Sequence, residues 1–145
     1  MTNQWLHIVP RDKPGLLIAM MRALAGEAHI SLEGDLRRID LTGIASLGAA
    51  ETSLGRQTLS PTLDFVVLPL TSETQPLIWN RLSATDHLAS DGIIHIQIEK
   101  DGQLAFGAYD NFHRDCVGAS DAVPVHLLEK LKESGVIRSF GPAME

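Results

Sequence analysis

Cysteine is nearly absent from this 145-residue chain: Cys116 is the only one. No internal disulfide can form, and a thiol-rich zinc site is excluded. Basic charge is also scarce, with 12 Lys and Arg against 18 Asp and Glu and a formal net charge of −6. Nucleic acid and anionic membranes demand a basic surface, so neither is an expected partner. The tight basic clusters, Arg37-Arg38 and Lys130/Lys132, are too small for a phosphate-binding stripe. No apolar run approaches the ~20 residues of a membrane helix. Met1 to Leu6 lacks the charged start and apolar core of a secretory signal, so the expected location is cytoplasmic.

What remains is an ordinary globular composition, 44% hydrophobic and 21% charged, at a length that suits one α+β domain over residues 1–145. Trp5 to Pro10 reads as a first strand ending at proline. Asp12 is placed to cap a helix with Pro14 in its first turn, and Leu16, Leu17, Met20, Met21, Leu24 and Ala28 recur at helical spacing. Gly26 either ends that helix or marks a close contact within it. Leu36 to Leu41 is the expected second strand, and Thr42 to Pro61 a loop with one helical turn near Ala49 to Leu54.

Thr62 to Leu70 is apolar on both faces, as in a central strand. Ser72 to Gln75 has the form of a capping box, opening a helix with Leu77, Ile78, Trp79 and Leu82 on its apolar side. Ile94, Ile96 and Ile98 alternate with polar residues. The Asp101-Gly102 turn then returns the chain as Leu104 to Tyr109, the clearest hairpin in the sequence. Ser120 or Asp121 caps a last helix ending near Gly135, and Val136 to Phe140 is a final strand or tail.

Two β-α-β units in succession predict a ferredoxin-like antiparallel sheet with helices on one face, extended by the C-terminal hairpin strand and helix. The run Val9-Pro10-Arg11-Asp12-Lys13-Pro14-Gly15-Leu16-Leu17, with Ala23-Leu24-Ala25 and Ile30 after it, resembles the opening of an ACT domain. That resemblance implies the same ferredoxin-like order and a homodimeric regulatory module binding amino acids or other small effectors near the turn glycine. The expected ligand site is Arg11, Asp12, Lys13, Gly15 and Leu16. Gly15's amide lies at the positive end of the helix, where a carboxylate would dock, and Arg11 or Lys13 would neutralise it.

Other constellations are weighed against plainer roles. Asp110 to Cys116 concentrates reactive side chains, with His113 as a base, Cys116 as a nucleophile and Asp115 as an orienting acid. Sequence neighbours diverge in extended chain, so a polar loop with a small buried thiol is the preferred reading. The histidines lack helical ligand spacing, and no metal or cofactor is expected, although His7 and His95 would meet on paired strands with Asp110 nearby. Glu33 and Asp35 flank Gly34 and are read as shaping a turn. Trp5, Trp79, Phe106, Tyr109 and Phe112 line either a pocket or the core, and exposed Phe106 and Tyr109 would suit a partner protein. The function expected is a regulatory or ligand-binding module without catalysis. The alternative is a protein-protein partner such as an immunity or antitoxin-like inhibitor.

Overall fold

The computed structural model describes residues 5–47, 51–84 and 92–142. Its first element, β1 (Leu6–Pro10), leads into α1 (Lys13–Leu24). The Asp12 side chain caps α1 by accepting the Gly15 amide at 3.0 Å. The helix buries Leu16, Leu17, Met20, Met21 and Leu24. It stops at Ala25, and the Lys100 ammonium donates to the carbonyls of Ala25 and of Gly26 just beyond it, at 3.4 and 2.6 Å, a cation where the helix dipole is negative.

The chain continues as β2 (Ala28–Gly34), β3 (Asp64–Leu70), α2 (Thr74–Ser83), β4 (Ile93–Lys100), β5 (Gln103–Ala108), β6 (Val117–Ala119), α3 (Val125–Glu133) and β7 (Ile137–Pro142). The strands form one seven-stranded sheet in the order β3-β2-β4-β5-β6-β1-β7, with every neighbouring pair antiparallel. This corrects the ferredoxin-like expectation, in which a small antiparallel sheet is extended only by the C-terminal hairpin strand. The hairpin does not end the sheet. Strands β5 and β6 carry it onward from β4 to β1, and β7 adds an outer edge.

Each helix joins two strands that run parallel but are not adjacent: β1 and β2, β3 and β4, β6 and β7. Right-handed crossovers in these three directions place all the helices on one face. Accordingly, the buried residues of α1, α2 and α3 share a single apolar cluster with Ile8, Ile30, Leu32, Ile96, Ile98 and Phe106 from the sheet. Among the described residues, no helix is long and apolar enough to cross a membrane.

Local expectations fail where polar residues hide a strand or a cap. The second strand is Ala28–Gly34, not Leu36–Leu41, because only Ala28, Ile30 and Leu32 face the helices while His29, Ser31 and Glu33 line the reverse face. Residues 35–44 are turns that tuck Ile39 into the core, with Leu36, Leu41 and Ile44 packed against it. Part of the turn expected at Ala49 to Leu54 lies outside the described residues. Thr71, rather than Ser72, organises the turn that leads into α2: its hydroxyl accepts the Thr74 amide at 3.1 Å, while Glu73 at the N-cap position makes no side-chain cap. Ser120 takes the Ala122 amide in a preceding turn, so α3 starts at Val125 after Pro124 without a side-chain cap.

Candidate functional site

The reverse face of the sheet divides into two halves. Over β2 and β4 it is polar yet covered. Cross-strand registry pairs Ser31 with Gln97 and Glu33 with His95, and His29 with Glu99. Residues 53–58 lie across them as a strap. Glu33 accepts the amides of Gln57 and Thr58 at 2.8 and 3.2 Å, and Glu99 accepts both the amide and hydroxyl of Ser53. His29 Nδ1 meets the other Glu99 oxygen at 2.9 Å. Burial alone would raise the Glu99 pKa, but the Ser53 hydrogen bonds and His29 outweigh it and hold the carboxyl below its ordinary value. The Asp110 amide donates to His95 Nδ1 at 3.2 Å, so Nε2 carries the proton and donates to the Thr58 hydroxyl at 2.8 Å.

Over β5, β6 and β1 the face is built differently. Gly107 and Gly118 stand opposite each other in the β5–β6 pair, flanked in the same row by Gln97 and His7. Neither glycine has a side chain to hold other groups off, and two aromatic rings lie on this floor. A Cβ on Gly118 would come within 2.2 Å of the Trp5 indole nitrogen, and one on Gly107 within 2.7 Å of the Tyr109 hydroxyl. Glycine within a strand marks this kind of close approach. A cavity of about 450 Å³ opens here, lined by Trp5, His7, Tyr109, Asp115, Cys116, Val117 and Gly118.

One wall of the cavity is the connection from β5 to β6. Asp110, Asn111 and Phe112 have φ of 51°, 55° and 59°, three consecutive left-handed residues without a glycine. Asp and Asn tolerate this region, whereas a bulky residue does not adopt it without compensation. Phe112 is compensated by burial of its ring in the core. The Asn111 amide donates to the Ile94 carbonyl at 2.7 Å, and the Tyr109 amide to the Cys116 carbonyl at 3.0 Å. Lys13 Nζ donates to Asn111 Oδ1 at 3.3 Å, tying the start of α1 to the loop. Strain held by so many contacts is a feature of functional loops.

His7 Nε2 donates to the Arg114 carbonyl at 2.7 Å. The Cys116 thiol faces the Asp110 carboxylate at 3.8 Å. Burial first, then the negative charges of Asp110 and Asp115, push its pKa up. Tyr109 links the two halves: Gln97 Nε2 donates to its oxygen at 3.1 Å, and Gln97 in turn accepts from Ser31 at 3.3 Å.

The structure separates several groups that the sequence suggested together. His7 and His95 do not lie on paired strands, because β5 and β6 intervene, a span of about 14 Å. His113 accepts the Asp115 amide at Nδ1 and is exposed, while the Cys116 thiol points to Asp110 rather than to this imidazole. Glu33 is buried under the strap, and Asp35 turns outward to Arg37 at 2.9 Å. Gly34, with φ of 153°, separates them at a register shift, where any Cβ would meet the Gly92 carbonyl. Phe106 and Phe112 are core residues, so Phe106 is not on an exposed face with Tyr109.

At the α1 turn, Arg11 is exposed and Leu16 fully buried, Lys13 reaches Asn111, and Asp12 already holds the Gly15 amide. No sequence motif singles out Gly107 and Gly118. Their positions inside strand-like runs were the available signal. Among the described residues no group of three or more His, Cys, Asp and Glu is placed to hold a metal ion. No family model, curated protein or solved structure matches the chain.

Proposed function

We propose that this protein is a small binding module without catalytic activity, and that it takes a small molecule into the cavity between Trp5 and Tyr109. The carrying observation is the two-glycine floor on which both rings lie beside a strained loop. A ligand cavity of ordinary kind has this character: a concave, largely apolar surface with a few convergent polar groups, within the usual range of ~300–1,000 Å³. A thiol held beside carboxylates, with its pKa raised, is a poor nucleophile, which supports a non-catalytic role for Cys116.

The effector role suggested by the N-terminal resemblance is retained in this reading, but its location moves. A carboxylate docking at Gly15 would have to displace Asp12 from the same amide. A homodimer would form most readily along β7, whose outer edge pairs with no described strand, whereas the β3 edge is bridged by Leu47. Sedimentation of the full chain tests that association. Among the described residues the large exposed apolar side chains, Leu59, Leu77 and Val125, are scattered over a loop and two helices, so they do not favour the inhibitor reading.

Thermal melting against a panel of amino acids, amines and carboxylic acids tests the cavity. A bound compound stabilises the fold increasingly with concentration, by ~2.7 kcal/mol at one hundred times its Kd. The effect is expected to vanish in Gly118→Ala and Trp5→Ala. Stabilisation that survives both substitutions would place the ligand elsewhere.

A further inference from the structure

The cavity's lining is one-sided in charge. Among its described lining residues are one carboxylate, Asp115, and no Lys or Arg. A second carboxylate, Asp110, sits behind the lining thiol at 3.8 Å. We infer that the ligand of this cavity is an organic cation, an ammonium carried on an apolar or aromatic group, placed against Trp5 and Tyr109 with its charge toward Asp115. This rests on the cavity being the binding site proposed above.

Three features of the cavity itself favour a cation over the carboxylate expected from the sequence. The faces of Trp and Tyr carry negative π density, which attracts a desolvated ammonium and repels an anion. The polar groups at hand include acceptors. With its Nε2 proton committed to the Arg114 carbonyl, a neutral His7 ring keeps a lone pair at Nδ1, and Asp115 accepts only. Finally, Cys116 reports the local field. Beyond the effect of burial, Asp110 and Asp115 both disfavour its thiolate, and the field that penalises an anion at that sulfur favours a cation beside it. A chain of net charge −6 also draws cations toward its surface.

Three probes of one shape decide the matter: benzylamine (as its ammonium), benzyl alcohol and benzoate. They are titrated into the full chain carrying Trp79→Phe, so that the fluorescence change reports Trp5. The ammonium is expected to bind about tenfold more tightly than the alcohol, and benzoate most weakly. Asp115 is exposed, so Asp115→Asn leaves the fold intact. That substitution should weaken the ammonium about three- to tenfold and leave the alcohol unchanged. Equal affinities, or benzoate binding best, would overturn the cation while leaving the cavity as the site. Absence of any response to all three probes, in fluorescence and in melting, would overturn both.

Discussion

The two halves of the reverse sheet face solve the same problem in opposite ways. A sheet packed by helices on one side still has a second side, and that side is either covered or left to water. Over β2 and β4 the chain covers it with its own strap, and the two carboxylates beneath, Glu33 and Glu99, are satisfied by backbone amides of residues 53, 57 and 58. Over β5, β6 and β1 no backbone among the described residues plays the strap's part. Side chains shrink to glycine, and two aromatic rings lie over a cavity. The first half is internally complete, whereas the second has hydrogen-bonding and aromatic surface still turned toward solvent. A half with little left to satisfy contributes stability, and one with surface to spare is available for a ligand.

The contrast breaks most visibly in the covered half. Glu33→Ala leaves the Gln57 and Thr58 amides without their buried acceptor, and a loss of about 3 kcal/mol is expected in urea unfolding. A loss under ~1 kcal/mol would mean that water replaces the carboxylate and the strap is only loosely held.

Acid should loosen the same half. The folded pKa of Glu99 lies below its unfolded value, so its stabilisation is fully present above the unfolded carboxylate range, ~4.3, and is lost as pH falls through the folded value. Stability measured across this range should decline toward acid. Glu99→Gln should flatten that part of the profile, and an unchanged slope would remove Glu99 as its source.

The open half should respond in binding more than in stability. Gly118→Ala drives a methyl into the Trp5 ring, which can swing toward solvent, so a cost of about 1 kcal/mol is expected, together with loss of ligand-induced stabilisation. The smallest effect belongs to Cys116→Ser, within ~0.5 kcal/mol of the parent. Since the thiol pKa is raised, alkylation of Cys116 at mildly alkaline pH should be slower than that of a free thiol. Faster alkylation would reopen the nucleophile reading.

Much of the chain was legible from local chemistry alone. The capped first helix, the Asp101-Gly102 hairpin and the apolar faces of Leu16 to Leu24 and of Ile96 and Ile98 depend on neighbours a few residues away, and periodicity reports such neighbours directly. Tertiary structure decided the rest. Strand β2 was obscured because its reverse face carries His29, Ser31 and Glu33, whose partners are distant in sequence: Glu99 and Gln97 on β4 meet His29 and Ser31, and the amides of Gln57 and Thr58 in the strap make the burial of Glu33 tolerable. The three-residue β6 is too short to show a period, yet it joins β5 to β1 and so turns the expected small sheet into one of seven strands. Gly107 and Gly118 are unremarkable as letters. They form a cavity floor because registry sets them opposite each other and brings Trp5, from the far end of the sequence, onto the same spot. Local pattern specifies what each segment prefers, and only long-range pairing determines which preferences meet.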